Sequence, residues 1–227
     1  MSKRTGQCVY CGMQGPITDD HVPPKALWSK PRPADLIVVP SCSSCNGAAS
    51  KDDEYFKTML VMKEGAGDHP EAVAIRDSVF RGLNLPKKEK FKRNFMGSIH
   101  DVAVRSPEGL HLGVRTAFNV DLSRLDRVVA RVIRGLYWHH HNHTPLPTSA
   151  RVVVWSESGL VELSPTQIQS LRSMLLEPCL RQPEHTAGRG ALRYWFASGD
   201  REHLTGWLLE IYGDVRFAAV TMPNGVG

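Results

Sequence analysis

Two Cys-x-x-Cys pairs, Cys8/Cys11 and Cys42/Cys45, stand thirty residues apart (12–41) and constrain this chain more than any other feature. Each pair makes a tight knuckle that presents two sulfurs to one ion, and joining the pairs closes the intervening chain into a hairpin. The segment needs such a brace. Gly12, Gly15, Pro16, Pro23, Pro24, Pro31, Pro33 and Pro40 interrupt it, so long regular elements cannot form and a bound metal has to supply its order. Five cysteines in 227 residues fit a structural Zn²⁺ site in a reducing compartment rather than a disulfide scaffold. The fifth, Cys179, reads as a small buried apolar residue.

Within this frame Ile17–Val22 predicts a short strand stopped by Pro23-Pro24, and Leu36–Val39 a second stopped by Pro40. From Asn46 to Met62 there is no proline, and Tyr55, Phe56, Met59, Leu60 and Met62 recur at near-helical spacing. Strand, strand and helix around zinc make a small N-terminal module over residues 1–66, with Gly65–Pro70 as its linker. Residues 67–227 read as a mixed α+β domain with a mainly antiparallel sheet, expected to recognise substrate or a partner. A short helix is expected over 70–82, then a hairpin from His100–Val104 and Leu110–Arg115 around Ser106-Pro107-Glu108-Gly109. Ser123-Arg124-Leu125-Asp126 looks like a capping box opening a helix to about Tyr137, with Leu125, Val128, Val129, Val132, Ile133 and Leu136 on its buried face. Strands follow at 151–155, 192–197, 207–212 and 216–221, with a helix over 165–176. The fold class expected is α+β.

Apolar and charged fractions of 41% and 22% are those of a folded globular chain. No apolar run reaches membrane-span length and the first residues lack the apolar stretch of a secretory signal, so a cytoplasmic protein without membrane contact is expected. The formal charge of +5 falls to about +3 with four thiolates on a dication, a weak lean toward polyanions. Lys87–Arg93 concentrates the excess and suits either a phosphate backbone or a solvated linker.

Asp20-His21 lies between the cysteine pairs and Asn46 directly follows the second. Taken singly, Asp20 and Asn46 read as a turn residue and a helix N-cap, and His21 as a hydrogen-bonded core histidine. Taken together, Cys8-Val-Tyr-Cys11-Gly12, Asp20-His21-Val22-Pro23-Pro24-Lys25, Val38-Val39-Pro40-Ser41-Cys42-Ser43-Ser44-Cys45-Asn46 and Ser50-Lys51-Asp52-Asp53 resemble the zinc-containing, four-cysteine form of the HNH endonuclease family over about residues 6–62. The resemblance implies a ββα-metal fold that hydrolyses phosphodiester bonds in DNA with one divalent ion. His21 would be the general base, since an imidazole titrates near neutrality. Asp20 and Asn46 would offer hard oxygen ligands to Mg²⁺ or a similar ion, with Asn46 at a helix start. Adjacent strand residues point to opposite sides, which suits different jobs for Asp20 and His21. Lys51, and less directly Lys25, would clamp phosphate. Asp19 is a possible substitute for Asp20, while Asp52, Asp53 or Glu54 would add a ligand or stand as exposed helix charge, and the sequence favours the latter. The family's middle Asn falls on Ile37 here, with Asp35 as the residue nearest to replacing it.

Two motifs lie outside that resemblance. His139-His140-His141-Asn142-His143 reads as a metal site or as polar residues at a helix end. Arg124, Arg127, Arg131 and Arg134 form a stripe that could track phosphates or make a solvated face with Glu or Asp partners. No Gly-rich nucleotide loop, Walker lysine or Gly-x-Ser-x-Gly elbow occurs, which removes support for nucleotide hydrolysis and serine esterase chemistry. Beside the nuclease stand two other readings: a zinc-knuckle protein that binds nucleic acid without cutting it, and a structural zinc protein that mediates assembly.

Overall fold

The computed structural model describes residues 4–106, 108–160 and 163–223; residues 1–3 and Pro107 of the expected turn lie outside them. Strands β1 (Thr5–Gln7), β2 (Gln14–Val22) and β3 (Ile37–Cys42) form an antiparallel sheet in that order. β2 stops at Val22 because Pro23 and Pro24 carry no N–H. β3 does not stop before Pro40 as expected but runs through it to Cys42. An edge strand tolerates the missing donor, and the Pro40 carbonyl accepts the Val9 N–H at 3.0 Å. The register sets Asp20 opposite Val39 and His21 opposite Val38.

The single helix expected from Asn46 is instead two, α1 (Ser43–Ala48) and α2 (Ser50–Met62), divided at Ala49. α1 begins earlier because the second Cys-x-x-Cys pair is itself its first turn: extended Cys42 is the N-cap, and its Sγ accepts the Cys45 N–H at 3.4 Å. Asn46 therefore lies past the first turn, and the reading of it as a residue at a helix start, or as the N-cap, is corrected.

Helix α3 (Pro70–Leu83) buries Ala72, Ile75, Val79 and Leu83, a stripe at helical spacing. It spans the boundary between the two compact units of the chain, Met1–Ile75 with Leu122–Gly227, and Arg76–Asp121. The smaller unit also holds α4 (Glu89–Gly97) and an antiparallel pair, β4 (His100–Arg105) and β5 (His111–Ala117), the hairpin that the alternation predicts. Phe95 anchors this unit, edge-on to Phe118 with ring centroids 5.2 Å apart.

Helix α5 (Leu122–His140) returns the chain to the larger unit. All six residues of its expected apolar face are buried, each worth about 1.5–3 kcal/mol of transfer free energy. Ser123 is not the cap of this helix but its second residue, with a hydroxyl that accepts from Arg127 Nη1 at 3.3 Å. α5 lies along α2, β2 and β3 and also contacts β6 (Arg151–Ser156). Gly135 permits this approach, since a Cβ there would sit 2.4 Å from Val22 Cγ2. A break at residue 66 therefore does not describe this fold: the hairpin and α2 share their core with α5.

After the short helix α6 (Glu157–Leu160), α7 (Pro165–Leu171), a π-helical turn (Arg172–Leu176) and α8 (Glu177–Leu180) replace the continuous helix expected. β7 (His185–Ala187), too short for an alternation signal, joins β8 (Leu192–Ser198), β9 (Thr205–Ile211) and β10 (Val215–Met222) in the antiparallel order β6-β10-β9-β8-β7. Phe56 of α2 packs on Phe217 of β10, ring centroids 6.0 Å apart. The fold is thus mixed α+β with antiparallel sheets. Among the described residues no helix is long and apolar enough to cross a membrane.

Candidate metal and nuclease site

The four sulfurs of Cys8, Cys11, Cys42 and Cys45 lie within 4.8 Å of one another, and among the described residues they form the one such cluster of potential metal ligands. The Cys11 and Cys42 Sγ atoms are 3.9 Å apart. An ion with Zn–S bonds of about 2.3 Å separates tetrahedral sulfurs by about 3.8 Å, so the donor set fits a metal ion such as zinc. The local electrostatics agree. Burial opposes the Cys8 thiolate, but N–H groups of Cys42, Cys11 and Tyr10 more than offset it and bring the thiol down to about 6. Burial and the neighbouring sulfurs push Cys45 far up. Four thiols so crowded ionise together only around a cation.

Alternation along β2 sends Asp20 and His21 to opposite faces. Asp20 is 7% exposed and surrounded by donors. Its Oδ1 accepts the His21 N–H at 2.9 Å, and its Oδ2 accepts from Tyr10 Oη at 2.8 Å and Arg131 Nη2 at 3.1 Å. Arg131 also bridges Asp53, donating at 3.2 and 3.4 Å, and its guanidinium lies 5.4 Å from the Tyr10 ring centre. Burial pushes Asp53 up to about 6 against the pull of Arg131. Burial, with Lys25 nearby, lowers His21 and keeps its imidazole neutral at pH 7.

Asn46 Nδ2 donates to Thr18 Oγ1 at 3.2 Å and to the Asp19 carbonyl at 3.4 Å, tying α1 to β2 one residue short of Asp20. The structure thus gathers His21, Asn46 and the cysteines around one hairpin, while the Asp20 carboxylate is turned to Tyr10 and Arg131 rather than to Asn46. Asp19 is engaged by Arg4. Lys25 and Lys51 are exposed, with no ion pair among the described residues. Asp35 is exposed and accepts the Arg189 N–H at 3.4 Å, and Ile37 is buried opposite Val22.

Two readings change. Asp52 and Asp53 are not exposed helix charge: Asp52 takes Arg124 Nε at 2.7 Å and Arg127 Nε at 2.8 Å, and Asp53 takes Arg131. The arginine stripe is accordingly engaged within the fold. Arg134 donates to the Leu146, Pro147 and Ala150 carbonyls at 2.6–3.2 Å. Arg131, the residue that contacts Asp20, is legible in the sequence only as one member of that stripe. Cys179 is fully buried and its thiol raised to about 11 by burial, as a packing residue should be. A cleft of about 880 Å³ between α7–α8 and the five-stranded sheet contains none of the hairpin residues. No protein-family model, curated protein or solved structure matches this chain.

Proposed function

We propose that the β2–β3 hairpin and α1 form a zinc-braced ββα-metal module of the HNH type, which hydrolyses phosphodiester bonds in DNA. The observation that carries this reading is the four-sulfur cluster at the hairpin base, with α1 starting on Cys42 and Asn46 tied to β2 beside Asp20-His21. The cysteines would hold Zn²⁺ as a structural ion. His21, neutral and on the face opposite Asp20, takes the proton of the attacking water. Asp20 and Asn46 would hold a divalent ion such as Mg²⁺, which supplies positive charge to the phosphate as the bond breaks. Lys25, near enough to lower His21, and Lys51 would meet phosphate oxygens. Because Arg131 and Tyr10 engage Asp20 Oδ2, cation binding there requires the guanidinium to give way.

That same engagement favours a second reading, a zinc-knuckle protein that binds nucleic acid without cutting it. With Asp20 neutralised by Arg131, the hairpin needs no second cation. Plasmid incubation with Mg²⁺ or Mn²⁺, comparing native protein with His21→Ala and measuring zinc in both, decides between them. The nuclease nicks or linearises DNA and the zinc-loaded variant does not. Intact DNA under every divalent ion, with gel retardation that weakens as salt rises, selects the binding module.

A further inference from the structure

The histidines at the end of α5 take no part in the hairpin chemistry, yet the fold adds a fifth from a distant strand. His185 of β7 sits beside His140, ring centroids 4.7 Å apart, and the His139 ring is 4.9 Å from that of His140. His139, His140, His143 and His185 line one cavity of about 440 Å³ together with Asp35 and Tyr194, and no Lys or Arg lines it. Four imidazoles and one carboxylate without a cationic side chain make a donor set for a cation, not for an anion.

The backbone contributes as well. Asn142 and His143 both adopt left-handed φ, 50° and 59°, a region these two residue types enter more readily than most, and the turn brings the His143 ring to 4.3 Å from that of Trp138 at the cavity edge. His140 is fixed by a 2.8 Å hydrogen bond between its Nε2 and Tyr194 Oη, whereas His139 and His143 are exposed and able to rotate. The imidazole nitrogens are not gathered on a point as the four sulfurs are, so binding includes rotation of these rings. We propose that this cavity is a second metal site, separate from the cysteine cluster, which takes a transition-metal dication on His139, His143 and His185 with a carboxylate oxygen from Asp35.

The test uses the full chain with its cysteine site filled by zinc, titrated with Ni²⁺ by calorimetry without Mg²⁺ or DNA. Native protein takes up one further equivalent; His139→Ala/His185→Ala keeps its zinc and loses at least about tenfold in Ni²⁺ affinity. The second equivalent survives His21→Ala, which separates this site from the nuclease reading. Absence of a second equivalent, its retention in the double variant, or its loss in His21→Ala overturns the proposal. If the double variant does not fold, His143→Asn decides: asparagine tolerates the left-handed φ, so weaker Ni²⁺ binding at an unchanged melting temperature supports the site, and unchanged binding overturns it.

Discussion

Arg131→Met isolates the contact that ties α5 to the hairpin. The Arg131, Asp20 and Asp53 side chains are 15%, 9% and 17% exposed, so all three charges are largely removed from water. Removing one partner of a buried ion pair costs about 3–5 kcal/mol, because the remaining charge is left without compensation. Here Tyr10 and the His21 N–H still serve Asp20, which places the loss near the lower end, about 3 kcal/mol, or more than a hundredfold in the unfolding constant. Urea unfolding followed by tryptophan fluorescence at pH 7.5, with zinc content checked in both proteins, measures it. The pH dependence has a definite sign. Burial raises Asp53 to about 6 in the folded protein, above its value in an unfolded chain of about 3.9. Its contribution is therefore fully present below the unfolded value and is lost as pH rises through about 6. Without Arg131 the carboxyl takes up its proton at still higher pH, so the variant's deficit is smaller at pH 5.5 than at pH 7.5. Asp53→Asn in the same background recovers at least about 1 kcal/mol, as coupled residues in contact do. A loss below about 1 kcal/mol, or a deficit that grows on acidification, refutes the assignment of this cluster as a buried network.

Cys42→Ser removes both one sulfur of the candidate metal site and the N-cap of α1, so it is expected to bind substoichiometric zinc and to lose protection from proteolysis over the hairpin, read by limited digestion and metal analysis. Chelation of the native protein should reproduce that digestion pattern, and an unchanged pattern would show that the ion does not order the hairpin. Gly135→Ala, ordinarily a gain of about 0.5–1 kcal/mol in a helix, should instead cost about 1–3 kcal/mol because the new methyl meets Val22, as chemical denaturation will read. His140, held near 4 in the fold, contributes stability that is present above about 6.5 and is lost as pH falls through about 4; His140→Gln should flatten the acid limb of the melting profile.

What the sequence makes legible is local. The Cys-x-x-Cys spacing places two sulfurs on one knuckle wherever it occurs, and the apolar residues of α5 recur at a period that only a one-sided helix satisfies. The β4–β5 alternation announces its hairpin for the same reason. What stays hidden depends on long-range packing. Arg131 meets Asp20 across 111 residues of sequence and Asp53 across 78, so nothing in the pattern around any of them names the partner. His185 stands in a three-residue strand, too short for a period, and only the sheet brings it to the end of α5. The division of α1 from α2 is hidden because the cysteine spacing announces metal chemistry alone, while the Cys42 sulfur also caps a helix.

These long-range contacts change what the N-terminal module can be. A hairpin and helix braced by four cysteines supply the strands, the neutral His21 and the tethered Asn46 from within residues 4–62. They do not supply a counter-charge for Asp20 or Asp53, which comes from α5. Cysteines and helix therefore divide the work: the four sulfurs gather at the base of the hairpin, and Arg131 supplies the counter-charge of the strand that carries Asp20. In the nuclease reading the guanidinium and a divalent ion compete for the same carboxylate oxygen, so Arg131 sets the cation concentration at which cleavage begins. In the binding reading there is no competition, and Arg131 acts on stability alone.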